Sequence, residues 1–556
     1  MTNAMTETSP ATTTDTTAQR TPYAVSQIFH IFRKDARHHW PEILVSLLLL
    51  SIYTWHSARQ AGPAPFFVPG YPTTSALAIA LAGILPLLLV VAWLFLIFRV
   101  VQDESLIGDR QFWVTRPYRW PSLLAAKVLF LVAFVHFPLF VAQCFLLRQA
   151  GFPIIQNLGG LAAMHIPLSL ALLFPVTIAV LTRSVTHALI AALAALILFL
   201  AYGPALSEIP NYAVSGLVHS LGNTVEDVGL PLALIAVIVL QYARRRARRS
   251  LAILLCAGAL IVLIEVGTPY RTLLERQFPL LDSVHRASVR LAVLAPPPRV
   301  SNSPAPSWYR LPDITGIKIP LRVSGVAQNS VVAEQAMLVS VQGPSNFEWH
   351  TNWTPQWLEL WPDSTSSAVQ FTLKRSVYDQ IKSSPVRLRL TLALSQYTES
   401  SSRQIVLPQG RFSAFGEGYC WQQGSDYFPA LTCRTAAYRP GFVASAVVVN
   451  ASCSEENLDS ATQAGQSAHQ FFPNGGSAGG LDPVQTFSIA LQPPAETWQA
   501  PLPHLCPGTT LHLATPVPAG QWRITVEADQ IKLEDYALDA RSDGVSYDLR
   551  AVSPLR

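Results

Sequence analysis

SALAIALAGILPLLLVVAWLFLIFRVV, residues 75–101, contains a single charged side chain, that of Arg99. The hydrocarbon core of a bilayer is about 30 Å thick, and an α-helix rises about 1.5 Å per residue, so roughly 20 apolar residues cross it. This stretch therefore predicts a membrane-spanning helix, and it decides the fold class of the chain.

Further apolar runs lie on both sides of this stretch and predict additional spans. The seven candidates are residues 41–57, 75–101, 121–147, 158–181, 185–202, 228–242 and 251–267. The last two are short, and the arginine-rich segment 244–249 between them must reach water or lipid headgroups. Of all 556 residues, 50% are hydrophobic and only 13% are charged, which also favours a polytopic membrane protein over a soluble one.

The basic residues of the short connections predict the orientation, because Lys and Arg concentrate on the cytoplasmic side of membrane proteins. Most of them fall on the side of the N-terminus, namely Arg20, Arg33, Lys34, Arg37, Arg99, Arg110, Arg116, Arg119, Lys127, Arg183, Arg244, Arg245, Arg246, Arg248 and Arg249. The opposite side has only Arg59 and Arg148. We therefore expect a cytoplasmic N-terminus and, after seven crossings, an extracytoplasmic C-terminal part.

Composition divides the chain into three parts. Residues 1–22 are Thr-rich and lack the apolar core of a signal peptide, which predicts a disordered cytoplasmic tail. Residues 23–268 form the predicted transmembrane domain. Residues 280–556 predict an all-β, sandwich-like extracytoplasmic domain, with two sandwiches dividing near 410–416 as one possibility. The Gly-, Ser- and Gln-rich residues 461–482 predict a long loop.

Alternating or β-branched segments mark the predicted strands of this C-terminal domain. They are residues 288–294, 317–323, 331–341, 368–373, 386–394, 444–449, 486–491 and 522–527.

Four cysteines lie in the polar half: Cys420, Cys433, Cys453 and Cys506. They predict two disulfides if that half occupies an oxidising compartment, with all three pairings left open. Four free thiols in a cytoplasmic domain are the alternative. No C-x₂-C pair occurs and no His follows at ligand spacing, so we expect no metal site.

The segment before the first span is predicted to be an amphipathic helix on the cytoplasmic leaflet. Its apolar positions at helical spacing are Val25, Ile28, Phe29, Phe32 and Ala36, and its polar positions are Arg33, Lys34, Arg37 and His38. An inward extension of the first span is the alternative, although Pro41 favours a break because proline suits a first helical turn.

Several signatures of catalysis are missing from the sequence. It contains no H-E-x-x-H, G-x-G-x-x-G or G-x-x-x-x-G-K-[ST], and we expect neither an enzymatic activity of its own nor a cofactor. The basic residues lie between apolar runs and form no nucleic-acid-binding face. Four ionisable residues in or near the spans, His136, His165, His187 and Glu265, are candidates for transport, or are satisfied by a neighbouring helix.

The loop between the second and third spans, residues 102–127, reads QDESLIGDRQFWVTRPYRWPSLLAAK. It predicts a charged cytoplasmic hairpin with aromatic side chains at Phe112, Trp113 and Trp120. These rings could pack into a groove of a partner protein. Alternatively they lie at the membrane interface, as tryptophan often does.

This loop resembles the cytoplasmic segment of ABC-2-type transporter permeases. The matching residues, in order, are Glu104, Gly108, Phe112, Trp113, Val114, Thr115, Pro117, Arg119, Leu123, Leu124 and Lys127. The amphipathic helix around residues 29–40, with Phe29, Phe32 and Arg33, is similar to the interface helix that precedes the first span of such permeases. Arg116 departs from the pattern because it stands between Thr115 and Pro117.

The resemblance implies a site that couples the membrane domain to a separate ABC ATP-binding subunit. Its residues would be Phe29, Phe32, Arg33, Glu104, Gly108, Phe112, Trp113, Thr115, Pro117 and Arg119. It also implies a second permease copy or paralogue that completes the pathway in the bilayer, and a location in a bacterial inner membrane.

Three hypotheses follow for the function. The first is the permease subunit of an ABC-type exporter. The second is a membrane-anchored sensor or binding protein whose β domain holds a ligand without any transport. The third is an extracytoplasmic hydrolase on a membrane anchor, which would require a cluster of catalytic side chains on the β domain.

Overall fold

The structure is a computed structural model of the 556-residue chain. It describes residues 20–60, 76–104, 119–218, 220–280, 289–295, 313–327, 330–360, 367–406, 411–414, 418–423, 430–436, 442–447, 467–472, 481–490 and 510–537.

The described helices are concentrated before residue 280. They are α1 (Arg20–His38), α2 (Trp40–Gln60), α3 (Ala76–Gln102), α4 (Trp120–Leu131), α5 (Phe137–Gln149), α6 (Ile154–Leu181), α7 (Val185–Ser207), α8 (Leu221–Thr224), α9 (Leu230–Arg244), α10 (Ala247–Gly267), α11 (Tyr270–Gln277), α12 (Arg375–Ile381) and α13 (Leu533–Tyr536).

Within the described residues, six helical segments are long and apolar enough to cross a membrane. They are Gly83–Gln102, Trp120–Gln149, Ile154–Leu181, Val185–Ser207, Val225–Arg244 and Ala247–Gly267. They confirm a multi-pass membrane protein and include both spans whose predicted lengths were short. The first predicted span coincides with α2, which is not among the six; its sequence includes Glu42, Tyr53 and His56.

The second of these segments is continuous through a π-helical turn at Val132–His136, which joins α4 to α5. Pro138 follows in the first turn of α5 and has no backbone N–H to donate to the preceding turn. The wider π turn accommodates this break, so the two helices form one span rather than two.

The break predicted near Pro41 occurs as a one-residue bend at His39, between α1 and α2. Backbone hydrogen bonds continue across the bend, since the His39 amide donates to the Asp35 carbonyl and the Ile43 amide to the His39 carbonyl. The two helices are therefore mechanically connected, although their sequence patterns differ.

The strands begin after the last long helix. They are β1 (Arg290–Val293), β2 (Ile314–Ser324), β3 (Ser330–Gln342), β4 (Glu348–His350), β5 (Thr354–Leu360), β6 (Ser367–Lys374), β7 (Val386–Val406), β8 (Arg411–Ala414), β9 (Gly418–Gln423), β10 (Ala430–Ala436), β11 (Phe442–Val447), β12 (Ser467–Phe472), β13 (Val484–Ala490) and β14 (Thr510–Ile531). Every segment predicted as a strand overlaps one of them. The loop predicted at 461–482 is wrong in part, because β12 lies inside it and pairs with β11.

These strands form three antiparallel sheets. The largest has the order β12-β11-β14-β7-β3-β4, with β5 also paired to β3. The others have the orders β1-β2-β6 and β13-β10-β9-β8. The suggested boundary near 410–416 coincides with the start of the third sheet, but β14 returns to the first sheet and pairs with β7. The largest sheet thus contains strands from both sides of that boundary.

Alternate residues of facing strands form the core of the β region. Ile317, Ile319 and Leu321 of β2 are fully buried, and so are Leu388 and Leu390 of β7. All belong to one apolar cluster that joins the three-stranded and seven-stranded sheets. Strict alternation in β2 explains why its strand was readable from sequence.

One disulfide lies among the described residues. It joins Cys420 of β9 to Cys433 of β10, which are directly opposite one another in the sheet. Cys453 and Cys506 lie outside the described residues. The disulfide confirms part of the prediction, and it also fixes the register of β9 against β10.

The β region contacts the helices at one end of the bundle. Trp353, Ala336 and Ala393 pack with Tyr270, Leu274 and other residues of α11 and the 212–218 turn. The Trp353 amide also donates to Asn211 Oδ1 at 2.7 Å. A second contact places Ala436 and Val484 near the turn between α5 and α6. The ends of α3 and α6 near Gln102 and Thr182 lie at the opposite end.

Candidate functional site

Five charged residues, from α1, from α4 and from the turn that follows α3, meet at the end of the bundle away from the β region. Lys127 Nζ of α4 donates to Asp35 Oδ2 of α1 at 2.8 Å and lies 3.2 Å from Glu104 Oε2. Lys34 Nζ lies 2.7 Å from Glu104 Oε1, 3.2 Å from Asp103 Oδ2 and 3.5 Å from Asp35 Oδ1. We call these five residues the charge cluster. It joins α1 to the end of α3 and the start of α4.

The centre of the charge cluster is buried. Asp35 is 0% exposed, Lys127 4% and Glu104 7%. Buried ions are tolerated only when they are closely paired, and removal of one partner costs about 3–5 kcal/mol. The geometry therefore fixes α1 against the two spans.

The cluster is unequal in charge, because three carboxylates face two lysines. Burial lowers the pKa of Lys34, but the hydrogen bond and ion pair with Glu104 raise it more, so its pKa lies above the ordinary value. Burial raises the pKa of Asp35, and Lys127 only partly opposes this. The pKa of Asp103 is lowered: burial would raise it, but Lys34 outweighs that effect. The excess negative charge favours an additional cation nearby.

Further contacts fasten α1 along its length to α4 and the span that α4 begins. The Phe32 ring stacks on Phe134 at 5.8 Å between centroids and meets the edge of Phe130 at 6.4 Å. Near the other end, the Arg119 amide donates to Gln27 Oε1 at 3.4 Å. Consequently both flanks of the predicted docking loop, Glu104 before it and Arg119 after it, contact α1.

The structure separates the predicted coupling residues into three groups. Phe32, Glu104 and Arg119 contact other helices as described. Phe29 is exposed, and so is Arg33, so both lie on the surface of α1. Gly108, Phe112, Trp113, Thr115 and Pro117 lie outside the described residues.

Only part of the predicted apolar stripe of α1 faces the other helices. Val25 and Phe29 are exposed, whereas Gln27, Ile31 and Asp35 are buried. The buried face includes polar positions because Gln27 has a partner at the start of α4 and Asp35 has one within α4, and the amphipathic pattern singled out neither residue. A charged residue such as Lys127 inside an apolar run was the available signal, since it requires a buried counter-charge.

His39 lies in the bend beside the charge cluster. It is 1% exposed, and neither ring nitrogen has a hydrogen-bond partner among the described residues. Burial lowers the pKa of His39 to about 4, so its imidazole is neutral at physiological pH. The sequence analysis did not single out this residue.

A second polar group crosses the interior of the helices. His136 Nδ1 lies 3.0 Å from His165 Nδ1, and His165 Nε2 lies 3.1 Å from Gln143 Oε1. Gln143 Nε2 donates to the carbonyl of Leu481, in the β region, at 3.1 Å. We call these four residues the histidine chain. It brings together two of the predicted intramembrane residues and adds Gln143, which the sequence analysis missed.

Donor and acceptor roles in the histidine chain follow from its far end. Gln143 uses its amide hydrogen on Leu481, so its carbonyl oxygen accepts from His165 Nε2–H. A neutral His165 then accepts at Nδ1 from His136 Nδ1–H. All three bonds therefore point from the helices toward the β region.

The other two intramembrane candidates have local partners. His187 Nδ1 lies 2.7 Å from the Ser184 hydroxyl at the start of α7. Glu265, near the end of α10, accepts a hydrogen bond from the Tyr270 hydroxyl. Neither joins the charge cluster or the histidine chain through the contacts described for it, so both have structural explanations at helix ends.

No model of a known protein family matches the chain, and no curated protein matches it. The features of the chain that bear on its function are the charge cluster, the histidine chain and the loop between α3 and α4.

Proposed function

We propose that the chain is the membrane-spanning permease subunit of an ABC-type exporter, coupled to a separate ATP-binding subunit. One observation carries the proposal. The buried charge cluster and the Arg119–Gln27 hydrogen bond fasten α1 to the residues on both sides of the loop at 105–118, and thereby to two spans.

This arrangement supports mechanical coupling. A partner that moves the loop or α1 would displace Lys127 and Glu104, which are anchored in α4 and at the end of α3. Because the contacts are buried and paired, the displacement would pass to the spans as a rigid-body motion rather than dissipate locally. ATP hydrolysis itself would take place on the partner, since the chain has no P-loop.

We propose that α2 supplies a seventh crossing. Its 21 residues reach about 31 Å at 1.5 Å per residue, close to the thickness of the hydrocarbon core. It starts beside the charge cluster, and its Tyr53 belongs to the apolar cluster against which Leu481 of the β region packs. The exposed side chains of Val25 and Phe29 on α1 would insert into the cytoplasmic leaflet.

Seven crossings and the positive-inside bias together support a cytoplasmic charge cluster and an extracytoplasmic β region in the inner membrane. The Cys420–Cys433 disulfide is consistent with an oxidising compartment. The shared core of two sheets supports a sandwich-like β domain, which would extend or gate the outer end of the pathway. A second permease copy or paralogue would complete that pathway.

Co-purification tests the proposal. The full chain would be extracted from its native membrane in mild detergent, and a bound P-loop ATPase identified by mass spectrometry. We expect Arg33→Glu and Arg119→Glu, both at exposed positions, to reduce recovery of the ATPase at least tenfold without altering the unfolding temperature. Arg276→Glu, exposed on α11 at the β end, is the matched control and should retain it.

The second candidate is a membrane-anchored sensor or binding protein, and the histidine chain favours it specifically. A ligand on the β region would move Leu481, and the directed hydrogen bonds would transmit that change to His136 and His165. Recovery of an envelope protein on the β region, with no ATPase, would select this function. Equal loss of ATPase in the Arg276→Glu control would also argue against a specific docking surface at α1.

A further inference from the structure

Three potential metal ligands converge where α1, α2 and α3 meet. His38, His39 and Asp103 each offer one ligand atom, and these atoms all lie within 4.8 Å of one another. His38 Nε2 lies 3.6 Å from Asp103 Oδ1, and the two imidazole rings are 4.8 Å apart at 77°. Neighbouring positions at the bend therefore direct two imidazoles toward one carboxylate.

The second observation is the buried, unpaired imidazole of His39. It is 1% exposed, and no described residue hydrogen-bonds either of its ring nitrogens. An unsatisfied buried polar group costs about 1–3 kcal/mol, so such groups in folded proteins generally have a partner. A metal ion would satisfy one of these nitrogens.

The arrangement of charges around the site also favours a bound cation. Lys34 Nζ lies 3.2 Å from Asp103 Oδ2, whereas Oδ1 of the same carboxylate lies nearest His38. The two oxygens can therefore serve Lys34 and a metal separately. The charge cluster has one more carboxylate than lysines, so a cation at this position reduces the imbalance. Asp35, Asp103 and Glu104 also lie close together, but Lys34 and Lys127 already contact all three.

We propose that His38, His39 and Asp103 bind a divalent transition-metal ion of the zinc type, with water as a fourth ligand. Two imidazoles and one carboxylate suit zinc better than the oxygen-preferring calcium or magnesium. Metal–ligand bonds of about 2.0–2.2 Å place tetrahedral ligand atoms about 3.3 Å apart, so the three groups must approach by about 1.5 Å at most. The exposed His38 side chain at the end of α1 can rotate to supply most of this movement.

Bound metal would tie the bend between α1 and α2 to the end of α3. The charge cluster already joins α1 to α3 and α4, and the metal would add a direct bond at the one point where the α1–α2 backbone bends. The inference concerns binding alone and does not depend on the proposed transport function.

Metal binding to the purified full chain tests the inference. The protein would carry an affinity tag without histidine, be freed of metal with a chelator, and be titrated with Zn²⁺ by calorimetry in detergent. We expect one ion per chain, and at least tenfold weaker binding in His38→Ala, His39→Gln and Asp103→Asn. His30→Ala, at an exposed position two turns earlier on α1, is the matched control and should bind like the natural chain.

One further measurement keeps the test decisive. X-ray absorption at the zinc edge should show two imidazole nitrogens in the natural chain and a changed ligand set in His38→Ala. Because His38 is exposed, this variant tests the site even if His39→Gln fails to fold. Undiminished binding in His38→Ala and Asp103→Asn, or equal loss in His30→Ala, would overturn the proposal. Loss of metal with retained ATPase recovery would leave the proposed function intact.

Discussion

The two halves of the molecule bury carboxyl groups in opposite ways. In the helical half, Asp35 and Glu104 are buried against Lys34 and Lys127. In the β half, Glu334 of β3 is 1% exposed, and neither of its carboxyl oxygens has a hydrogen-bond partner among the described residues. In the first arrangement each buried carboxyl group has a lysine within 2.8 Å. The second has no compensating charge, and burial raises the pKa of Glu334 from 4.5 to about 8.

The two halves therefore differ in the role of their buried carboxyl groups. The paired cluster links the helices through contacts between lysines and carboxylates. A lone buried carboxyl is neutral at low pH and resists ionisation, so its contribution to stability changes with pH. Glu334 is paired with Leu394 of β7, and the register of β3 shifts just after it. Two residues later, Ala336 packs against the helical half, so Glu334 lies close to the contact between the halves.

The largest expected effect is the removal of a charge from the cluster. Lys127→Met would leave Asp35 and Glu104 buried with Lys34 as their one remaining lysine, so that one of the two carboxylates loses its nearest partner. We expect the free energy of unfolding to fall by about 3–5 kcal/mol. Chemical unfolding of the full chain in detergent measures the change.

The double variant Asp35→Asn/Lys127→Met sharpens this test. It should lose less stability than the sum of the two single variants, since it no longer buries the unpaired carboxylate. Lys382→Met, at an exposed lysine of the β half, is the matched control and should leave the unfolding temperature unchanged. If Lys127→Met behaved like this control, the cluster would not be the link described.

The next effect concerns the pH dependence of the β half. Between about pH 5 and pH 7, folded Glu334 retains a proton that the unfolded chain releases, so stability falls as the pH rises, by about 1.4 kcal/mol per unit. Glu334→Gln removes the titrating group. The stability of this variant should therefore fall by about 1.4 kcal/mol per pH unit less than that of the natural chain over this range. Unfolding temperatures from pH 5 to pH 7 measure this.

Glu348→Gln provides the control, because Glu348 is an exposed glutamate in the same sheet. Its variant should retain the pH dependence of the natural chain. Identical pH profiles for the Glu334→Gln variant and the natural chain would mean that the Glu334 carboxyl has a polar partner in solution. The two halves would then bury their carboxyl groups in the same way.

The smallest effect is expected where the two halves meet, at the histidine chain. Gln143→Leu removes the bonds to His165 and to the Leu481 carbonyl. Hydrogen bonds between membrane helices contribute about 0.6–1.7 kcal/mol, so we expect a loss of that order. Hydrogen exchange should become faster in residues 481–490, while exchange in β3 and β7 should not change.

Gln149→Leu, exposed on the same helix, is the matched control and should not alter exchange. Faster exchange in both variants would indicate a general loosening of α5. No change in either would mean that the β region does not depend on this contact.

Local sequence patterns predict most of the architecture but little of the candidate site. The spans were readable because an apolar run of sufficient length has one stable outcome in a bilayer, and β2 because its alternation matches one buried face. Residues Lys127 and Asp35 are 92 positions apart, so no local pattern pairs them. Pro41 predicts a break in the helix near His39. The burial of the His39 imidazole depends on helices that are distant in sequence, so no local pattern predicts it.

Glu334 shows a different limit. It lies inside a correctly predicted strand, yet β3 changes register between Glu334 and Ala336 relative to both neighbouring strands. Alternation assumes an uninterrupted period of two, and one irregularity changes which face a residue occupies. Strand existence was therefore predictable, whereas the burial of this carboxyl was not.

The position of β14 has a consequence for biosynthesis. It lies between β11 and β7 in the largest sheet, although residues 407–509 separate it from β7 along the chain. Until ribosomes have made and released residues 510–531, β7 and β11 each present an unpaired edge, and such edges invite pairing with other chains. The interval before β14 arrives is thus the period of greatest aggregation risk, when the nascent chain most needs a chaperone.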